Sequence, residues 1–426
     1  SMSTLKVNKL RDTAGSADAI TLDPNGGAVL AGVTTVTSVK VGAAVTISES
    51  GIEAAGVGIT CANINGTQIG GRRNIIINGA MMVAQRGTST TDEGYLVDRV
   101  ELEQTNLNEA PTQAQVDVSS SSTPYSEGFR KSFKITNGNQ TSADADDRFQ
   151  VFLKQEAQNI ANSGWNYTSS TSYITLQFWV KSSVAQNFYG YLRTKDGTGQ
   201  IYRFETGSLT AGAWTKVVKT IPGNSNITID NNTDEGLQIT FALYYGSDYT
   251  DSGATLNTWG AYSSGTRTPD MTGTLDDWYL TNDATWELTG VQLEVGSQAT
   301  PFEHRSYGDE LSLCQRYYYM HALGNGKNVG TGVLYQDNNL FPSIQFPVIL
   351  RSTPTLDVSD GSDYFLAYSN GNSDGFSTFS ALWNAHSTCA GLNAYSADGV
   401  SGRTAGHSSM IIANHASAKL GFSAEL

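Results

Sequence analysis

Apolar and polar residues alternate with a period of two along several stretches between residues 129 and 243. That period is typical of β-strands that bury one face and expose the other, because successive side chains point to opposite sides of a sheet. Polar loops separate the stretches, so the pattern predicts an antiparallel β-sandwich. The predicted apolar faces are Phe129, Phe133 and Ile135; Phe149, Val151 and Leu153; Ile174, Leu176, Phe178 and Val180; and Leu237, Ile239, Phe241 and Leu243.

The stretch that begins at Trp286 organises the chain, since it joins two differently patterned regions. Trp286 and Leu288 start an apolar alternation that shifts by one position after Gly290, where Val291 and Leu293 continue it. Such a shift at a glycine is typical of a β-bulge. The pattern therefore predicts a bulged strand that closes a sheet.

A helix and a new strand are predicted directly after this bulged strand. Ser306 and Asp309 have the spacing of a capping box, in which short polar side chains bond the free N–H groups of a helix start. A short helix through Leu311 and Cys314 would follow, and the aromatic run at residues 317–319 would begin the next strand. We therefore expect one structural body before this junction and another after it.

The first part of the chain is poor in bulky side chains and repeats itself. Residues 1–94 contain no Phe, Trp or Tyr, and residues 19–42 are similar to residues 44–66. Turns at residues 25–27 and at Ser50-Gly51 would separate short strands. Such short repeats bury their apolar face only by stacking on neighbours, which predicts a stem of three chains. The alternative is a flexible, disordered tail.

Composition and charge narrow the range of partners. The chain has 426 residues, a formal net charge of −14 and a pI near 4.7, which argues against a nucleic-acid partner. No stretch has the apolar length of a membrane span, and no signal peptide is predicted. Cys61, Cys314 and Cys389 lie too far apart for a disulfide framework or a zinc site, so a reducing compartment is expected.

The segment from residue 289 to 319, TGVQLEVGSQATPFEHRSYGDELSLCQRYYY, resembles the junction found in many tail-fibre and receptor-binding proteins of tailed bacteriophages. The resemblance implies an all-β chain: a repetitive trimeric β stem at residues 1–72, an antiparallel β-sandwich at 73–307 and a small β-rich C-terminal tip domain at 308–426. The sandwich would be a jelly roll related in form to carbohydrate-binding modules. Further matches are residues 72–102, Phe346-Pro347-Val348, Arg351 and Pro354-Thr355, with Leu350 where the family usually has Met.

The resemblance also implies a function. It predicts a virion tail-fibre protein, assembled in the host cytoplasm, that binds host cell-surface glycans as a homotrimer during adsorption. The N-terminal segment would join phage tail or baseplate proteins, and no enzymatic activity, cofactor, metal, nucleic acid or membrane insertion is expected. Three alternatives stay open: a glycan-degrading tailspike with a carboxylate pair across a groove, a structural fibre segment without a receptor site, and a bacterial carbohydrate-binding module.

Candidate sugar-binding residues come from the alternation after Phe188. If Phe188 and Leu192 point inward, then Tyr189, Tyr191 and Arg193 share the outer face. Flat aromatic rings can cover the apolar face of a sugar while their hydroxyl groups form hydrogen bonds. The alternative is that these rings pack under long loops or against a neighbouring chain. Further aromatic residues that could extend the surface are Tyr244, Tyr245, Trp259 and Tyr262.

Two other sequence patterns match known site motifs only in part, and we predict a turn rather than a functional site at each. Asp144, Asp146 and Asp147 could offer oxygen ligands to Ca²⁺, but they lack the glycine and the distal glutamate of an EF-hand loop, so a solvated turn is predicted. Residues 371–375 match G-x-S-x-G without the apolar strand and the helix that a nucleophile elbow needs. A polar turn is predicted there as well.

Overall fold

The computed structural model describes residues 72–394 and 403–426, together with the backbone of short strands within the first 68 residues. Two compact units are formed by Ser1–Ala62 and by Asn63–Leu426. Both are built from antiparallel sheets, which confirms the predicted all-β fold. Within the described ranges, no helix combines the length and the apolar composition needed to cross a membrane.

The short strands of the first 68 residues are β1 (Lys9–Arg11), β2 (Asp18–Leu22), β3 (Ala28–Leu30), β4 (Ser38–Val41), β5 (Val45–Ser48), β6 (Gly51–Ala54), β7 (Asn63–Ile64) and β8 (Thr67–Gln68). They form three ladders, ordered β1-β2-β3, β4-β5-β6 and β7-β8. Each repeated segment contains an antiparallel pair, β2–β3 in the first and β5–β6 in the second. The predicted turn at residues 25–27 and the predicted packing against other chains lie outside the described residues.

The sandwich follows, with strands β9 (Ser89–Thr90), β10 (Gly94–Tyr95), β11 (Glu101–Thr105), β12 (Thr112–Asp117), β13 (Lys131–Thr136), β14 (Arg148–Glu156), β15 (Tyr173–Ser182), β16 (Asn187–Thr194), β17 (Gln200–Ser208), β18 (Thr215–Pro222), β19 (Glu235–Tyr245), β20 (Trp259–Ala261) and β21 (Thr285–Val295). One sheet has the order β10-β11-β14-β19-β16-β17-β20, and the other has the order β18-β15-β21-β13-β12-β9. Short helical segments connect the strands: α1 (Thr123–Ser126), α2 (Ala157–Ala161), α3 (Asp277–Leu280), and 3₁₀ turns at Ser247–Tyr249 and Gly273–Leu275.

The core of the sandwich lies between its two sheets. The inward faces of β14, β15 and β19 are the apolar sets that the alternation predicts, and Phe178 packs on Phe241 of the opposite sheet with ring centroids 4.9 Å apart. The outward side of β15 is buried too, at Gln177 and Trp179, because the chain after β21 crosses it. Burial of both faces is a feature that the alternation alone does not reveal.

The predicted bulge in β21 is confirmed. β15 pairs with β21 on either side of an irregularity, so that Gln177 faces Gln292 and Trp179 faces Thr289. Gly290 adopts φ +64° at this point, a conformation that glycine tolerates best. β21 lies between β15 and β13, so the bulged strand is central in its sheet.

A buried polar cluster ties the chain after β21 to the sheet. The Glu294 carboxylate accepts hydrogen bonds from Gln292 Nε2 at 2.9 Å, from Thr300 N at 2.8 Å and from Thr300 Oγ1 at 2.6 Å. Gln177 Nε2 donates to the carbonyl oxygen of Thr300 at 2.6 Å. Since a buried carboxylate is costly unless it is hydrogen-bonded, these partners fix the path of the segment that follows the strand.

The predicted helix cap is confirmed at α4 (Tyr307–Gln315). Ser306 is the N-cap, and its hydroxyl accepts from Asp309 N at 3.2 Å. Cys314 is buried against Tyr317, and the next strand begins with Tyr318. Some polar residues of the segment 289–319 thus have structural roles: Ser306 caps the helix, and Gln292 and Glu294 form buried hydrogen bonds.

The tip contains β22 (Tyr318–Leu323), β23 (Asn328–Gln336), β24 (Asn339–Gln345), β25 (Thr355–Val358), β26 (Phe365–Ser369), β27 (Asn372–Phe376), β28 (Ala381–His386), β29 (Cys389–Asn393), β30 (Ser408–Ala413) and β31 (Lys419–Ser423). A three-stranded sheet has the order β22-β31-β25, and a seven-stranded sheet has the order β27-β26-β30-β23-β24-β29-β28. The polar turn predicted at residues 371–375 is only partly correct: a two-residue hairpin loop is formed by Asn370 (φ 50°) and Gly371 (φ 76°), whereas Asn372–Phe376 form β27.

Buried ion pairs join the tip to the sandwich. The Glu425 carboxylate, near the last residue, pairs with Arg99 and with Arg86. Arg316 forms a bidentate pair with Glu156, with Nε–Oε1 and Nη2–Oε2 distances of 2.7 and 2.8 Å. Such paired and hydrogen-bonded charges fix the orientation of the tip on the sandwich.

Asp98 at this junction makes stability depend on pH. Burial raises the pKa of the Asp98 carboxyl from 3.8 to about 6, although Arg86 opposes the shift. The folded state therefore binds the proton more tightly than the unfolded chain does, and the free energy of unfolding gains a contribution as pH falls from about 6 towards about 4. Urea unfolding of the wild type and of Asp98→Asn across this range should show this increase in the free energy of unfolding in the wild type alone. Parallel pH profiles of the two proteins would contradict the assignment of the pH dependence to Asp98.

Candidate functional site

The residues predicted on the outer face of β16 do lie on one side of the strand, but they are not equally exposed. Phe188 and Leu192 are buried in the core, as predicted, and Tyr189 and Arg193 are half-buried on the opposite side. Tyr191 is only 1% exposed, and its hydroxyl lies 3.1 Å from that of Tyr245. The prediction that Tyr191 offers its ring to a sugar is therefore corrected.

Tyr244 and Trp259 lie elsewhere. Tyr244 pairs with Phe149, so it faces the interior, where its ring stacks on that of Tyr279 at 4.1 Å. It is 1% exposed, and this prediction is corrected as well. Trp259 is half-buried at the edge of the sandwich, where its indole N–H donates to the carbonyl oxygen of Pro222 at 2.7 Å. These two rings are thus not on the face that carries Tyr189 and Arg193.

The chain from residue 246 to 268 covers the outer face of β16 and β17. Arg203 Nε donates to the carbonyl oxygen of Arg267 at 3.1 Å, and the Arg193 guanidinium lies 3.5 Å from the ring centroid of Tyr262. The alternative that the sequence left open, rings packed under a long loop, therefore describes Tyr191. Tyr189, Arg193 and Trp259 keep partial exposure and stay predictions.

A different aromatic surface is exposed on the tip. β23 and β24 pair so that Val333 lies opposite Phe341, and both point away from the tip core, whose side is formed by Leu334 and Leu340. Tyr335 is 67% exposed, and Val333 is 52% exposed. Exposed apolar side chains that adjoin one another are unusual on a soluble surface and are typical of interaction sites.

Three rings form a continuous row on this face. The ring centroids of Tyr335 and Phe341 are 5.6 Å apart, and those of Phe341 and Trp383 are 4.6 Å apart. Trp383, on β28, is 49% exposed. We name Tyr335, Phe341 and Trp383 the tip stripe. On the same face of the sheet, Tyr368 pairs with Met410, and these side chains are 39% and 49% exposed.

None of the predicted sugar-binding residues lies in the tip stripe. The signal in the sequence is that Val333, Leu334 and Tyr335 are consecutive apolar residues, so the strand carries apolar side chains on both faces. A strand with two apolar faces is either buried on both sides or exposed on one. Only the sheet order, which leaves the outer face of the β23–β24 pair uncovered by the described chain, separates these cases.

The acidic turn at residues 144–147 is confirmed as a turn, with one departure. Asp147 N donates to the carbonyl oxygen of Asp144, and Asp144 N donates to the Asp147 carboxylate at 2.7 Å. Asp147 is buried rather than solvated, and it accepts from the Tyr279 hydroxyl at 2.9 Å. Among the described residues, no group of three His, Cys, Asp or Glu side chains is placed to hold a metal ion.

Comparison with known proteins gives structural likenesses only. No protein-family model and no curated protein matches the chain. One similar structure is the enzymatically active domain of tailspike protein 4 of bacteriophage CBA120, with 10% identity, a TM-score of 0.27, and coverage of 52% of this chain and 21% of that one. This chain thus spans about a fifth of that tailspike's length.

Two other similar structures are matched over nearly their whole length. The N-terminal cellulose-binding domain of Cellulomonas fimi β-1,4-glucanase C has 11% identity and a TM-score of 0.23, and the match covers 50% of this chain and 97% of that one. The family 11 carbohydrate-binding module from Clostridium thermocellum has 12% identity, a TM-score of 0.23 and the same coverage. Because the TM-scores of these three structures lie below 0.5, the likenesses assign no function to this chain.

Proposed function

We propose that the chain is a bacteriophage tail-fibre protein that binds a host cell-surface glycan as a homotrimer, without catalysing its breakdown. The observation that supports glycan binding is the tip stripe, a row of three adjoining rings on one face of a sheet, of which Tyr335 and Trp383 are exposed and Phe341 is half-buried. The junction at residues 289–319 supports the tail-fibre assignment, since it resembles that of phage receptor-binding proteins.

The geometry of the tip stripe suits a saccharide. A row of rings offers flat apolar area to the C–H face of successive sugar units, and the Tyr335 hydroxyl adds a hydrogen-bonding group. Polar side chains on the same face of the sheet, such as the exposed Ser343 of β24, can bond hydroxyl groups. Three copies of a weak site on one fibre would bind a cell surface tightly through avidity.

The fibre role assigns a place to each segment. In this proposal the repeated segment at residues 1–72 forms a three-chain stem, and its N-terminal end joins tail or baseplate proteins. The sandwich at residues 73–307 carries the tip at residues 308–426, which contacts the host. The protein would assemble in the host cytoplasm and reside in the virion.

Replacement of Trp383 tests the function. We expect Trp383→Ala to weaken binding of the whole chain on a glycan array by about tenfold or more, roughly 1.4 kcal/mol per tenfold change, because the ring at one end of the stripe is lost. The matched control is Tyr307→Ala, which removes a 53% exposed ring from α4, outside the tip stripe. Mass photometry of both variants would report the oligomeric state.

The outcomes separate three roles of the tip stripe. Weaker glycan binding with an unchanged trimer supports the proposal. Loss of the trimer in Trp383→Ala would instead make the stripe a subunit contact, and unchanged binding would remove it from the site. Release of reducing ends from any bound glycan would contradict the non-catalytic part of the proposal and favour a tailspike enzyme.

A further inference from the structure

A second candidate site lies on the sandwich, far in sequence from the tip stripe. An open cleft of about 610 Å³ is bounded by β15, by β18 and by the segment after β21. Gln177, Lys216 and Val218 line it, and in the β15–β18 pair Val218 lies opposite Gln177 while Lys216 lies opposite Trp179. Its volume falls within the range of small-molecule sites, about 300 to 1,000 Å³.

One wall of the cleft is apolar and held in place. Phe302 forms this wall with Pro301, and its ring packs edge-on against that of Phe129 at 4.8 Å. Phe129 is 1% exposed, so Phe302 packs against a ring that is itself buried. Val218, on the opposite side, is 44% exposed and presents its methyl groups to the cleft.

The rim of the cleft carries hydrogen-bonding groups that are only partly used. Glu127 Oε2 accepts from the Trp179 indole N–H at 3.1 Å and from Lys216 Nζ at 3.1 Å. The other oxygen, Oε1, has no partner in the described part of the chain, and Lys216 Nζ has further N–H groups to donate. His304 adds an imidazole, whose Nε2 lies 2.8 Å from the carbonyl oxygen of Glu127.

We propose that this cleft binds one neutral pyranose unit of a glycan. A sugar hydroxyl both donates and accepts, so adjacent hydroxyl groups can donate to Glu127 Oε1 while they accept from Lys216 Nζ. The apolar face of the same ring would lie against Val218 and Phe302. A neutral sugar fits because the Lys216–Glu127 pair has no net charge.

This inference rests on the proposed function, glycan binding, and adds a site on the sandwich to the one on the tip. A tail fibre with both sites would contact two parts of one polysaccharide. The indole of Trp179 bonds Glu127 and therefore reports on the cleft, while Trp383 reports on the tip stripe. One labelled protein can thus test the two sites independently.

The experiment uses the whole chain with 5-fluorotryptophan at its seven Trp positions and ¹⁹F NMR. Trp179→Phe and Trp383→Phe assign the two lines. The probes are the methyl pyranosides of D-glucose, D-galactose, N-acetyl-D-glucosamine and L-rhamnose, at millimolar to decimolar concentration. We expect at least one probe to shift the Trp179 line saturably.

Variants of the rim complete the test. Lys216→Met should weaken the response of the Trp179 line about tenfold or more, whereas Lys134→Met, on the same face of the sheet, should leave it unchanged. A Trp179 line that no probe shifts, or a shift that survives in Lys216→Met, would overturn the cleft as a site. If the Trp383 line alone responds, the proposed function stands and the cleft inference fails. If the Trp179 line alone responds, the cleft binds the sugar and the tip stripe is not a glycan site.

Discussion

Glu425→Ala should lower the free energy of unfolding by about 3 to 5 kcal/mol, the range expected when one partner of a buried ion pair is removed. The Arg99 side chain is 1% exposed and that of Glu425 is 9% exposed, so the guanidinium would stay buried without its carboxylate. Arg86, which lies 3.1 Å from the same carboxylate, would keep only the more distant carboxylate of Asp98, at 3.9 Å. Urea unfolding followed by tryptophan fluorescence measures the effect.

Other contacts of Arg99 do not replace the carboxylate. Its guanidinium donates to the carbonyl oxygen of Lys154 at 2.7 Å and lies 3.6 Å from the ring centroid of Tyr317, but neither group carries a full negative charge. The control is Asp360→Ala, which removes an exposed tip carboxylate and should change the free energy by no more than about 0.5 kcal/mol. Equal effects of the two replacements would contradict the role of Glu425.

Gly290→Ala should cost about 2 to 5 kcal/mol, because two separate penalties add at the bulge. Its φ of +64° costs a residue with a Cβ atom about 1 to 2 kcal/mol. A Cβ atom there would also lie 2.7 Å from Cζ of Phe129, and overpacking in a core costs about 1 to 3 kcal/mol. The measurement is the midpoint and slope of urea unfolding.

Gly207→Ala is the matched control for this replacement. Gly207 has a φ of +75°, but a Cβ atom there would meet nothing within 4 Å. It should therefore show the backbone penalty alone, and the difference between the two variants should equal the overpacking against Phe129. If Gly290→Ala costs no more than Gly207→Ala, then the Phe129 ring moves aside freely, and the apolar wall of the cleft is not rigid.

The bulge and the helix cap of the junction could be predicted because each depends on a few neighbouring residues. A glycine at a shift in alternation gave the bulge at Gly290, and a hydroxyl three residues before an acid gave the cap at Ser306. In each case the backbone conformation is set by sterics and hydrogen bonds within one or two turns of chain.

The sugar-binding residues could not be predicted from alternation because exposure is decided by chain that is distant in sequence. Tyr191 lies on the predicted side of β16, yet residues 246–268 cross above it and bury it. The tip stripe shows the opposite case, since Trp383 and Phe341 are separated in sequence and meet only through the order of β24, β29 and β28. Alternation predicts on which face of a strand a side chain lies, but it does not predict whether another segment of the chain buries that face.

The sequence by itself determined the all-β class, the inward face of the long strands, the bulge and the helix cap, since period, glycine and capping chemistry act locally. Only the tertiary structure decided which rings face solvent, that the acidic and amide groups at the end of β21 form a buried hydrogen-bonded cluster with Thr300, and that Glu425 reaches Arg99 from a distant part of the chain. Those features depend on segments brought together by sheet order, and burial in a folded chain is a property of all the segments that surround a residue.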